Sequence, residues 1–143
     1  MTYPGGASVT FFRWRAETRI SGGRRRTTLI PLFPSYVFFA GDSGARLEVL
    51  TTQRVVNTIP IPQQSTFVDE ITGLHSALLV RDDLVMYPHV AVGRRCRVGR
   101  GPMRGIEGVI VQDDDITRIV LAVSILGRGA CLEISASDLE EAG

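Results

Sequence analysis

Residues 92–139 constrain the fold more than any other part of the chain. They hold four or five short runs of β-forming residues, centred on 95–98, 107–112, 118–125 and 130–134. Turn-forming residues separate the runs: Gly99, Gly101, Pro102 and Gly105, then Asp113 to Asp115, then Gly127 and Gly129. Such glycines, with β-branched runs between them, make a helix costly here. Strands this short bury little as an open sheet, so closure into a small all-β barrel is expected, hiding both the apolar face and the edges.

The preceding residues read as α+β. Phe12, Trp14, Ala16, Thr18 and Ile20 alternate with Arg13, Arg15, Glu17 and Arg19, the period of a half-buried strand. Ser21, Gly22 and Gly23 form a turn, and 24–32 returns as the second strand of a hairpin. Pro31 and Pro34 interrupt, and Tyr36, Val37, Phe38 and Phe39 look like a central strand covered on both faces. Asp42 or Ser43 caps a short helix that turns Leu47 and Leu50 inward. Residues 54–61 suit another strand. Ser65 or Thr66 then caps a helix whose Phe67, Ile71, Leu74 and Leu78 form one apolar stripe. Residues 81–91 show no periodicity and read as a linker, dividing the chain into 1–80 and 92–143.

Binding, rather than catalysis, is the expected activity. Residues 99–108 lack the glycine spacing of a dinucleotide site, and no nucleophile motif is present. Cys96, Cys131, His75 and His89 lack metal-ligand spacing, so no metal or cofactor is expected; both cysteines read as small core residues. No apolar run approaches the ~20 residues that span a bilayer, and residues 1–8 do not resemble a signal peptide, which points to the cytoplasm.

The formal net charge of +1 hides an uneven distribution. All 16 basic residues are arginine, whose planar fork suits phosphate and carboxylate. Residues 1–40 carry six of them and a single acid, and 94–104 carry five and no acid. Arg24, Arg25 and Arg26 at the hairpin end make a basic finger able to neutralise phosphates.

Two motifs together resemble the NusG family of transcription elongation and antitermination factors. Pro31-Leu32-Phe33-Pro34-Ser35-Tyr36-Val37-Phe38-Phe39 is similar to the signature of the family's N-terminal (NGN) domain, usually Phe-Pro-Gly-Tyr, with Ser35 in place of the glycine. Val92-Gly93-Arg94-Arg95-Cys96-Arg97-Val98 and 101–109 resemble a KOW motif, and 124–128 with 132–134 resemble its end. The Pro-Leu-Phe-Pro form is closer to specialised paralogues of the RfaH type. The resemblance spans about residues 9–140.

It implies a truncated RNP-like NGN domain with an antiparallel sheet and helices, followed by an SH3-like KOW barrel. It implies that Phe33, Pro34, Ser35, Tyr36 and Val37 lie at the contact with the clamp helices of RNA polymerase. Arg24, Arg25 and Arg26 would point towards DNA or RNA. Met103, Ile125, Leu126, Gly127 and Arg128 would form the KOW face, which in the family holds a NusE-type ribosomal protein or the termination factor Rho. The family's opening strand and helix have no counterpart ahead of the hairpin, so an unpaired sheet edge is expected. The alternative is a ribosome-associated KOW protein that binds ribosomal RNA.

Overall fold

The computed structural model describes residues 8–10 and 14–142. Their order is β1 (Ser8–Thr10), β2 (Trp14–Ser21), β3 (Arg24–Pro31), β4 (Phe38–Ala40), α1 (Ser43–Thr51), α2 (Gln64–Val80) and β5 (Val85–Tyr87). Then come β6 (Arg94–Val98), β7 (Glu107–Asp113), β8 (Ile116–Val123), β9 (Arg128–Glu133) and β10 (Leu139–Glu141). The fold is α+β: among the described residues there are two α-helices, one six-stranded antiparallel sheet and two separate two-stranded sheets.

The six-stranded sheet runs β10-β6-β7-β8-β9-β5. Its middle is a meander whose turns follow from single residues. Asp114 adopts φ 52° between β7 and β8, a conformation that aspartate tolerates better than most residues. Gly127, at φ 61°, ends the 3-10 turn Ser124–Leu126 and returns its N–H to the Ser124 carbonyl at 3.0 Å. The expected strands of this region are therefore present, but the barrel is not closed by hydrogen bonds, because β10 and β5 do not pair with each other. The physical reason is α2. Its apolar stripe packs on β8 and supplies the second layer that closure would otherwise provide.

Leu74 and Ala77 of α2 are fully buried, with Phe67, Ile71 and Leu78 partly buried around them. They share one core with Ile119, Leu121 and Val123 of β8, Ala130 and Leu132 of β9, Leu84, and Leu32 and Phe33. Within 81–91, expected as a linker, β5 pairs with β9 and Leu84 is 1% exposed. Three residues are too few to show a period in the sequence. Cys96 and Cys131 are buried free thiols on strands separated by two others, β7 and β8. Burial raises the Cys131 thiol above its ordinary pKa.

Several local expectations are corrected. Residues 54–61 form no strand; Val56 is fully exposed, and Pro60 and Pro62 deny the segment ladder donors. Of the expected central strand only the end enters a sheet, as Phe38–Ala40, and among the described residues its one partner is β1. Asp42 does cap α1, its Oδ1 accepting the Ala45 N–H at 2.8 Å. The buried side of α1 follows Ala45 with half-buried Val49 and, as expected, Leu50, but leaves Leu47 60% exposed. α2 starts at Gln64, so Ser65 and Thr66 lie inside it rather than capping it.

The β2–β3 hairpin forms as expected, with Gly22 and Gly23 both at positive φ, as a tight two-residue turn requires. Its described side chains lie at the tip, where Thr18 and Ile20 face solvent instead of a core. Residues 18–28 are all exposed, Ile20 at 75%. Phe12 and Arg13, and the side chains of residues 14–17, lie outside what the structure describes. Among the described residues neither two-stranded sheet gains a third strand, so both keep bare edges.

Candidate functional site

The Phe33–Val37 segment is a tight turn. The Tyr36 N–H donates to the Phe33 carbonyl at 3.2 Å, with Pro34 and Ser35 between them and Ser35 at φ 71°. Proline second and a positive φ third is the signature of a type II turn, which favours glycine at the third position. Phe33 is 2% exposed and meets Phe38 edge-to-face at 6.3 Å. Phe38 in turn meets Phe67 of α2 at 5.6 Å. Phe33 therefore anchors the turn in the core, while Pro34, Ser35, Tyr36 and Val37 are presented to solvent.

Ser35 bears the left-handed backbone at a cost of roughly 1 kcal/mol for a residue with a Cβ. Ser35→Gly is expected to raise stability by up to about 0.5 kcal/mol, once the greater freedom of glycine in the unfolded chain is counted. A urea titration checks the gain; a loss would mean that the side chain makes a favourable contact of its own.

The second group of expected residues divides in the same way. Met103 is 4% exposed and belongs to the core, because the 99–105 loop folds back on β6 and β7. The Gly105 N–H donates to the Val98 carbonyl and the Val98 N–H to Ile106, both at 2.8 Å. Leu126 packs against the core, and Ile125 is exposed. The Arg128 Nε–H donates to the Leu126 carbonyl at 3.3 Å, and its guanidinium carbon lies 5.6 Å from the centre of the Tyr36 ring. That distance is within cation–π range. The exposed turn at Pro34–Val37 and the turn at Ile125–Arg128, 90 or so residues apart in sequence, thus share one surface.

A polar clamp holds the same region. Glu70 of α2 accepts the Ser124 N–H at 3.0 Å and also the Ser124 hydroxyl. At the other end of α2, Arg81 forms two hydrogen bonds with Asp83 and reaches the Glu133 carbonyl at 3.4 Å. The hydrogen bonds from Arg81 hold the Asp83 carboxyl below its usual range. Neither Glu70–Ser124 nor Tyr36–Arg128 has a local sequence signal, since each joins residues brought together only by packing of α2 and the 33–37 turn on the sheet.

The basic cluster at 94–104 is largely neutralised. Glu107 accepts from Arg97 at 2.6 and 3.0 Å and from Arg95 at 3.4 Å, and Arg94 pairs with Glu141 at 3.1 Å. Hydrogen bonds from Arg97 first, then Arg95, keep the Glu107 carboxyl below its ordinary pKa. Arg100 and Arg104 remain exposed on the loop. Arg24, Arg25 and Arg26 are exposed at the end of the β2–β3 ribbon, a sheet separate from the six-stranded one.

Among the described residues no three His, Cys, Asp or Glu side chains converge as a metal site, and no helix is long and apolar enough to cross a membrane. Comparison of the chain with protein-family models, with curated proteins and with solved structures finds no match.

Proposed function

We propose that this chain is a NusG-like transcription factor that binds RNA polymerase through the Pro34–Val37 turn and holds a second partner through the β6–β10 region. The observation that carries the reading is the turn itself. Phe33 is locked in the core, Pro34 to Val37 are offered outward, and the one departure from Phe-Pro-Gly-Tyr falls at the residue whose backbone favours glycine. The meander supports the second half: β10 returns to pair with β6, as an SH3-like KOW unit requires. Ile125, Leu126, Gly127 and Arg128 are then the partner-facing turn. The activity is tethering, which raises the effective concentration of the partner near the polymerase. The basic ribbon adds contact with nucleic acid.

Affinity purification of the tagged chain from its host tests the reading. RNA polymerase subunits are expected to co-purify, and Tyr36→Ala is expected to cut their recovery about tenfold, the scale of an aromatic hot spot. An unchanged melting temperature controls for loss of the Arg128 contact. Recovery of ribosomal RNA without polymerase would favour the alternative, in which Arg100 and Arg104 contact RNA.

A further inference from the structure

The six-stranded sheet ends in two strands of equal length and different chemistry. β10 and β5 are its borders, three residues each, and among the described residues neither has a partner on its outer side. A bare edge invites pairing with another chain, and charged side chains are a common guard against it. β10 is guarded. Glu140 and Glu141 are exposed, so a second β10 laid antiparallel against it would set carboxylates beside one another. β5 is not guarded. Val85, Met86 and Tyr87 carry no charge, Met86 is 37% exposed, and proline follows only after the strand, at Pro88. This contrast within one sheet singles out the β5 edge.

We propose that the β5 edge pairs with the β5 edge of a second copy of this chain, antiparallel about a two-fold axis at Met86, so that the two six-stranded sheets join into one. A three-residue strand pairs fully with itself in one register only: Met86 opposite Met86, and Val85 opposite Tyr87 of the other copy. Either Met86 or the pair Val85 and Tyr87 turns its N–H and C=O groups away from β9, and both cases satisfy that register. The side chains agree with it. Val85 and Tyr87 share one face of the strand and are half-buried, so Val85 of one copy meets the Tyr87 ring of the other. That ring also meets His89 edge-to-face at 6.2 Å. Continued by two residues, the register sets His89 opposite Asp83 of the other copy. The Asp83 carboxylate accepts from Arg81 and keeps lone pairs for an imidazole N–H. The edge is therefore complementary to itself, apolar at the centre and His against Asp at both ends, which selects a second copy over a foreign strand. Pro88 has no N–H to extend the ladder, so the seam is short and the dimer dissociates in the micromolar range or above.

Sedimentation of the full chain across a range of concentrations tests the proposal. The parent chain is expected to dimerise reversibly. Met86→Lys opposes two ammonium groups at the axis and is expected to weaken the dimer about fivefold, the scale of one unfavourable cross-strand pair. Met86→Cys is expected to give a disulfide-linked dimer when oxidised glutathione takes the two electrons from the introduced thiols. Directly opposed residues of an antiparallel pair have Cα atoms about 4.5–5.5 Å apart, within disulfide range. Val92→Cys, exposed but beyond the seam, is expected to stay unlinked, and the native Cys96 and Cys131 are buried. A parent chain that stays monomeric overturns the proposal and leaves the edge to a strand of a different protein. A dimer untouched by Met86→Lys, or equal linkage by Met86→Cys and Val92→Cys, overturns the β5 seam. Circular dichroism checks that each variant is folded; should Met86→Lys unfold, the linkage of Met86→Cys decides.

Discussion

Leu74→Ala is expected to lower the unfolding free energy by about 4 kcal/mol, near the top of the range for buried leucine truncations. Leu74 has no exposed surface and sits in the core shared by α2 and β8. Its neighbours there include Ile119 and Leu121, held in a hydrogen-bonded strand that cannot move inward to fill the space. The lost side chain therefore leaves most of its volume as a cavity, and the cavity term adds to the lost transfer energy. Urea unfolding followed by both far-UV and near-UV signals measures it. Because Leu32, Phe33, Leu74, Leu84 and the meander share one core, both signals are expected to move together in one transition. Two separate transitions, with only the earlier one shifted by Leu74→Ala, would show that 1–80 and 92–143 unfold as independent units.

The second large effect is a glycine with no room for a Cβ. At Gly129 an added Cβ would lie 2.3 Å from the Leu121 carbonyl oxygen and 3.1 Å from the Ala122 Cα. Both are backbone atoms of the central strand β8, so no side-chain rotation relieves the clash. Gly129→Ala is expected to cost about 3 kcal/mol, the upper end for overpacking. Gly108 faces a similar limit, 2.6 Å from the Val120 carbonyl oxygen and 2.7 Å from the Ile119 Cγ1. Gly73 of α2 is the contrast, with open space where its Cβ would be. Gly73→Ala is expected to stabilise by up to about 1 kcal/mol through helix propensity. Thermal melts of the two variants check the order; tolerance at Gly129 would mean that β8 and β9 can separate locally.

Turns and periodic stripes were the legible parts of this sequence. Gly22-Gly23, Asp113 to Asp115 and Gly127 mark turns because few other residues accept their backbones cheaply. Phe67, Ile71, Leu74 and Leu78 mark α2 because four residues at helical spacing leave no other face. Pattern reading failed where a strand needed a partner. The apolar Tyr36–Phe39 run looks interior, yet with β1 as its neighbour it forms only a short strand, and Tyr36 and Val37 stay outside. Residues 54–61 have strand composition but no partner. Val85–Tyr87 has neither length nor alternation, and the exposed edge of β9 recruits it. The site was legible as residues but not as an arrangement. Composition does not reveal that Phe33 and Met103 point into the core, or that Tyr36 meets Arg128.

The strand order of the six-stranded sheet sets a timetable for folding. β6, β7, β8 and β9 pair with their chain neighbours, so their loops close over short distances. β5 and β10 border the sheet through pairings that span roughly 40 residues, and closure entropy grows with that span. The meander therefore assembles before its borders dock. During synthesis the delay is longer still. Leu74 and Leu84 leave the ribosome well before Ile119, Leu121 and Leu132, the residues that bury them. α2 must wait, with its apolar stripe uncovered, until β8 and β9 have been made. That interval, rather than the finished fold, is when this chain most needs a chaperone.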